Sequence, residues 1–308
     1  MTAQYLLHGL HILSEIALPE PEAPFPEPAD LVIVRGDDAP VEPLPDARAE
    51  LRFRYDADRI WYEASHDDDR WCLRVPDLFA FTTDGTRAVV QRAPGSVAEY
   101  VPMLTAGVGL AFSIVLRGHL CVHASAVEAG GAAVALCAPS GCGKSTLAAL
   151  AAAAGHPLVA DDLLRVDVDG PAVTVTRGAS EIRLREGAAA LREVWPGRAR
   201  ATIDGRTAVA PPRTRAERLP LATVVMPVLE RDRSDVAVER LRPADAFRPL
   251  LACQRLLGWR AAAVVTREFE QVAALADRVP VVVARVPWHT PADPDLGALV
   301  VARALDAC

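Results

Sequence analysis

Along the first hundred residues the hydrophobic positions come in short runs, at 50–55, 60–64, 71–75 and 87–91, each bounded by Asp-rich or Gly-containing turns; this predicts antiparallel β structure. Upstream, a mixed apolar run at 5–18 gives way to Pro19, Pro21, Pro24, Pro26 and Pro28, and then to Pro40, Pro43 and Pro45. Proline lacks an N–H and fixes φ, so this stretch is predicted as short strands joined by extended connections. The most apolar segment, 101–116, is predicted as a buried helix, because it falls short of the roughly 20 residues that a bilayer requires. β-rich runs at 120–128 and 132–137 flank Gly130-Gly131, a hairpin signal. An alanine-rich helix at 147–154 then stops at Gly155, and a strand at 158–160 ends in Asp161-Asp162. Later strands are expected near 172–176, 223–229 and 281–286, and helices near 188–194, 244–257 and 269–278. The chain thus divides into a β-rich, proline-interrupted region at 1–100 and an α/β domain at 101–308.

Composition narrows the function classes. The 308 residues, 51% of them hydrophobic, can bury a substantial core. A formal net charge of -7 argues against nucleic acid as the partner, since such binders carry a basic face. No membrane partner is expected either, and homo-oligomerisation is left open. Cys72, Cys121, Cys137, Cys142, Cys253 and Cys308 show no C-x-x-C spacing, so neither a zinc site nor a disulfide framework is indicated. Without a secretory pattern at the N-terminus, the cytoplasm is the expected location. The run His66-Asp67-Asp68-Asp69 has metal-ligand residue types, but a consecutive acidic run between strands reads as a solvated turn.

The chemistry concentrates in Ala138-Pro139-Ser140-Gly141-Cys142-Gly143-Lys144-Ser145-Thr146, which fits G-x-x-x-x-G-K-[ST] except that alanine stands first. Gly141 and Gly143 permit backbone angles that turn successive N–H groups inward as a nest for phosphate oxygens. Lys144 adds a point charge toward the β- and γ-phosphates, and the Ser145 hydroxyl can complete Mg²⁺ coordination. Ser140, Cys142 and Thr146 complete the ATP-binding set, with the following helix aiming its positive end at the same anion. Among 33 Lys and Arg residues, Lys144 is the only lysine. A compact ammonium suits this position, whereas a planar guanidinium would be too bulky.

A phosphotransferase also needs one carboxylate to accept the hydroxyl proton and another at the metal. Asp161-Asp162, at the end of the next strand, would bring both to the phosphates, and strand alternation would divide the roles between them. His123 on an apolar strand reads, by residue type alone, as a satisfied core histidine.

Residues 120–166 resemble the catalytic core of the HPr serine kinases and related kinases. The resemblance lies in an H-x-S strand at 123–125, an S-G-x-G-K-S loop at 140–145 and a G-H-x-L-V-A-D-D strand at 155–162. It implies a P-loop kinase core of the HPr kinase and PEP carboxykinase type, with an N-terminal β-rich region. It also implies Asp161 as general base, Asp162 at Mg²⁺ with Ser145, and His123 near the reacting phosphate. The opening at 7–20 is similar to short HPr-kinase-like proteins that phosphorylate ribosomally made peptide precursors, including lasso peptides, although His8 stands where they usually carry an aromatic residue. Thr146 departs from the G-K-S-E of the bifunctional HPr enzymes, whose arginine-glycine signature is not evident. Arg183 and Arg206 are candidate phosphate clamps.

The expected function is therefore transfer of the γ-phosphate of ATP to a serine-type hydroxyl of a peptide or small protein, with a precursor peptide favoured over HPr. The alternatives are an HPr-type serine kinase, a nucleotide-binding regulatory module without transfer, and a small-molecule phosphotransferase or carboxykinase-type enzyme.

Overall fold

The computed structural model describes residues 2–26, 28–195, 197–289 and 293–308 as a mixed α/β protein with several sheets. The chain forms two compact units, Met1–Cys121 with Arg255–Phe269, and Val122–Gln254 with Glu270–Cys308.

The first unit holds β1 (Ala3–Leu7), β2 (Leu10–Ser14), β3 (Leu31–Arg35), β4 (Leu51–Arg54), β5 (Ile60–Asp67), β6 (Arg70–Val75), β7 (Phe79–Thr83) and β8 (Arg87–Arg92). Among the described residues these strands make one sheet in the order β1-β2-β3-β8-β7-β6-β5-β4. The pairs β2–β3 and β3–β8 are parallel, the others along the sheet antiparallel. β1 and β2 meet through His8-Gly9, both at positive φ (54° and 71°), which is the backbone that a two-residue hairpin needs. Of the run at 66–69, His66 and Asp67 close β5 and Asp68-Asp69 make the turn into β6, with Asp68 at φ 51°. The expected helix at 101–116 is present as α1 (Tyr100–Leu104), a wider π turn at Thr105–Gly109 and α2 (Leu110–Leu116), and it belongs with this first unit. A buried Arg52 guanidinium is held by the Glu63 carboxylate (Nε to Oε2, 2.8 Å) and by Leu44 O (2.6 Å), so neither charge is left unanswered in the interior.

β9 (Leu120–Val122) runs through the first change of unit, and the second unit continues with β10 (Ala124–Ala129), β11 (Ala132–Cys137), α3 (Lys144–Ala153) and β12 (Leu158–Ala160). β10 and β11 form the expected hairpin, with Gly130 and Gly131 at φ 59° and 80°. β13 (Leu164–Asp167) pairs with β14 (Thr174–Thr176), which lies along the start of the long strand β18 (Arg218–Glu230). A small separate sheet contains β15 (Ile182–Leu184), β16 (Ala199–Ala201) and β17 (Thr207–Val209).

After β19 (Ala237–Arg240), α4 (Pro243–Leu251) ends earlier than the sequence pattern suggests and carries Pro249 inside its last turn. α5 (Ala262–Arg278) starts earlier than expected, and the helix expected at 188–194 is a run of 3-10 turns over Glu186–Val194. β20 (Val281–Pro287) and α6 (Leu296–Asp306) close the chain. No helix among the described residues is long and apolar enough to cross a membrane.

The arrangement that matters for chemistry is the run β12-β10-β11-β18-β20, in which β11, β18 and β20 are parallel. Their carboxyl ends, at Cys137, Glu230 and Pro287, therefore share one edge. Parallel strands are covered on their faces, and α3 and α6 supply cover here, burying Leu147, Leu150, Val300 and Val301 against Val134, Leu136, Val225 and Val282. α6 reaches α3 through Gly297, where an added Cβ would stand 2.2 Å from Ala151 N and 2.7 Å from Leu147 O. Gly297→Ala is thus expected to force the two helices apart and to cost about 2 kcal/mol or more of stability. Urea denaturation of the full chain measures this, and an unchanged midpoint would contradict so close a crossing.

Candidate functional site

The loop between β11 and α3 is shaped by two glycines. Gly141 and Gly143 sit at φ 87° and 81°, a region costly for any residue with a Cβ. Gly143 also begins α3, so the first helical residue is Lys144. The helix starts with its N–H groups facing the loop.

Lys144 is 5% exposed, and its ammonium donates to two loop carbonyls, Ala138 O (2.7 Å) and Pro139 O (3.1 Å). Burial lowers its pKa from the ordinary lysine value, while the negative charges of Asp161 and Asp162 oppose that shift. A cation is therefore held in a dry loop, facing two carboxylates.

The two aspartates lie beyond the end of β12, in a turn. Leu163 N donates to Asp161 O (2.8 Å) across Asp162, whose φ is 68°, so Asp162 is the central residue of a γ-turn of the strained, positive-φ kind. Strand alternation does not set their directions; the turn does. Asp161 is 4% exposed and accepts from Ser125 Oγ (2.6 Å) and Ser145 Oγ (2.9 Å) on Oδ1, and from the Arg183 main-chain N–H (3.1 Å) on Oδ2. The Asp162 carboxylate, 22% exposed, faces His123 Nε2 (3.3 Å) and accepts from Arg183 Nη2 (3.1 Å).

Of the candidate residues, the structure brings Lys144, Ser145, Asp161, Asp162 and His123 into one cluster around the loop formed by Ser140, Gly141, Cys142 and Gly143, with Thr146 in the first turn of α3. Arg183 joins it with both main chain and side chain. Arg206 stands a step away, on Asp204 (3.3 Å), which Arg183 also approaches (3.8 Å). Two participants escaped the sequence reading. Ser125 was visible only as part of the H-x-S strand. Arg185 donates to Ser140 Oγ in the loop (3.0 Å), and its guanidinium lies 3.8 Å from where a Gly141 Cβ would stand. The signal for Arg185 was its spacing: two residues from Arg183 along an extended segment places both on one side.

The donor set suits a hard divalent ion. Ser145 Oγ and Asp161 Oδ1, 2.9 Å apart, are oxygen ligands of the kind Mg²⁺ takes alongside phosphate oxygens. Among the described residues no group of three or more His, Cys, Asp or Glu side chains could hold a metal by itself.

No protein-family model matches the chain, and no curated protein does. Among solved structures, the Hpr(Ser) kinase/phosphatase from Coxiella burnetii is similar, with a TM-score of 0.31 and 16% identity, covering 60% of this chain and 97% of that one. A likeness this weak decides nothing about chemistry.

The γ-turn yields a direct test of local strain. Asp162→Gly should leave stability within about 0.5 kcal/mol, because glycine adopts positive φ freely. Asp162→Val should cost about 2 kcal/mol, since a β-branched residue is strongly disfavoured there. Thermal unfolding of the two variants compares them; equal losses would mean that the turn is not strained.

Proposed function

We propose that the protein is an ATP-dependent phosphotransferase acting on a hydroxyl group. The observation that carries this reading is the buried Lys144 ammonium, enclosed by a loop with two left-handed glycines, with the neighbouring Ser145 hydroxyl directed at Asp161. Main-chain N–H groups at the start of α3, a lysine and a hydroxyl–carboxylate pair together select a triphosphate with its metal. In this reading Ser145 and Asp161 would hold Mg²⁺, which would supply positive charge against that of the triphosphate.

Asp161, enclosed and occupied by three donors, is poorly placed to receive a proton from an incoming acceptor. Asp162 is better placed: it is more open, and His123 and Arg183 orient its carboxylate. This reverses the division of labour that the family resemblance implies. Asp162 takes the proton from the acceptor hydroxyl as its oxygen bonds to the γ-phosphorus. The bond from that phosphorus to the bridging oxygen of ADP breaks, and its electron pair leaves with ADP. Lys144 and Arg185 meet the charge on the phosphates. The acceptor class, a serine-type hydroxyl of a peptide or small protein such as a ribosomally made precursor, comes from the resemblance of the motifs and of the opening segment.

Radiolabelled ATP, Mg²⁺ and candidate acceptor peptides test this with the purified full chain. Lys144→Ala should abolish detectable transfer. Asp162→Asn should lower the rate at least about 100-fold while leaving nucleotide affinity within a few fold. Transfer by Asp162→Asn at the parent rate would remove the base assignment. Nucleotide binding without transfer to any acceptor would leave a regulatory binding module instead.

A further inference from the structure

The side of the loop away from the aspartates carries a feature that phosphate binding does not use. At the carboxyl ends of β18 and β20, Leu229 and Trp288 lie against Gly143. A Cβ on that glycine would stand 3.1 Å from Leu229 Cδ1 and 3.5 Å from Trp288 Cη2. Trp288 follows β20 directly, and its main-chain N–H donates to Glu230 O (2.9 Å), extending the β18–β20 ladder by one rung. Both side chains pack on the core beneath α3 and α6 and remain only partly buried. The indole is therefore mounted on a rigid sheet edge, beside the loop, with part of its surface uncovered.

We propose that Trp288, backed by Leu229, is the platform on which the base of the bound nucleotide stacks, so that the site takes a purine nucleoside triphosphate in preference to a bare triphosphate. This rests on the reading of the loop as a phosphate cradle. In-line transfer requires the attacking and leaving oxygens to lie on opposite sides of the γ-phosphorus. Sheet order places the attacking side at β12 and β10, beyond whose ends Asp162 and His123 stand, one way from β11, and places β18 and β20 the other way. The leaving ADP, and with it the base, consequently points toward Leu229 and Trp288. A large aromatic face supplies stacking to any base and most to a purine, which has the larger ring system.

Calorimetry on the full chain separates this proposal from the one beneath it, with Mg-ATP and with Mg-tripolyphosphate, a probe that has the phosphates and no base. Trp288→Ala should weaken ATP about tenfold or more and leave tripolyphosphate within about twofold, and Trp288→Phe should recover most of the ATP affinity. An ATP affinity unchanged in Trp288→Ala would overturn the platform while leaving the cradle intact. Equal weakening of both ligands would also overturn it, marking Trp288 as a structural prop. If the parent protein binds neither ligand, or binds both equally well after Lys144→Ala, the cradle reading falls and this one with it.

Discussion

One buried cation organises the second unit. An ammonium taken out of water must be answered by hydrogen bonds and opposite charge, and Lys144 finds its hydrogen bonds in two carbonyls of its own loop. The same loop turns through Gly141 and Gly143, both in left-handed backbone conformations. The loop can hold that shape only because it springs from β11, inside a parallel sheet, and runs into a helix clamped against α6 at Gly297. The charge thus connects backbone strain, sheet topology and helix packing in a single local arrangement.

The carboxylates answer the same charge from across the loop. Asp161 is enclosed by two serine hydroxyls and a main-chain N–H, whereas Asp162 is thrown outward by a γ-turn into the reach of His123 and Arg183. Adjacent residues of identical chemistry thereby acquire different surroundings. Arg183 ties them together, since its backbone serves Asp161 and its side chain serves Asp162. Strain at Asp162 is tolerated where its neighbours determine its position, which is common at sites of chemistry.

The first unit is built on other terms. Its long sheet buries alternate residues along β2 and β3 and contains a paired Arg52 and Glu63, a polar contact that serves the interior. Every residue of the cluster around Lys144 belongs to the second unit.

Local chemistry made much of this legible before any coordinates. The glycine spacing, the sole lysine and the paired aspartates mark residues that the structure gathers at one loop, because positive φ favours glycine and a buried ammonium needs opposite charge nearby. Short strands and the Gly130-Gly131 hairpin were equally open to reading, since turn chemistry acts over a few residues. Tertiary structure decided what lies far apart in sequence. It brought Ser125, Arg183 and Arg185 to the loop, set Trp288 beside Gly143, joined 255–269 to the first unit, and turned Asp162 where strand periodicity pointed both carboxylates by alternation. The reason is physical: residue type limits what a side chain can do, but which groups share a space follows from how strands pair and helices pack, and those contacts carry no signature in any single segment.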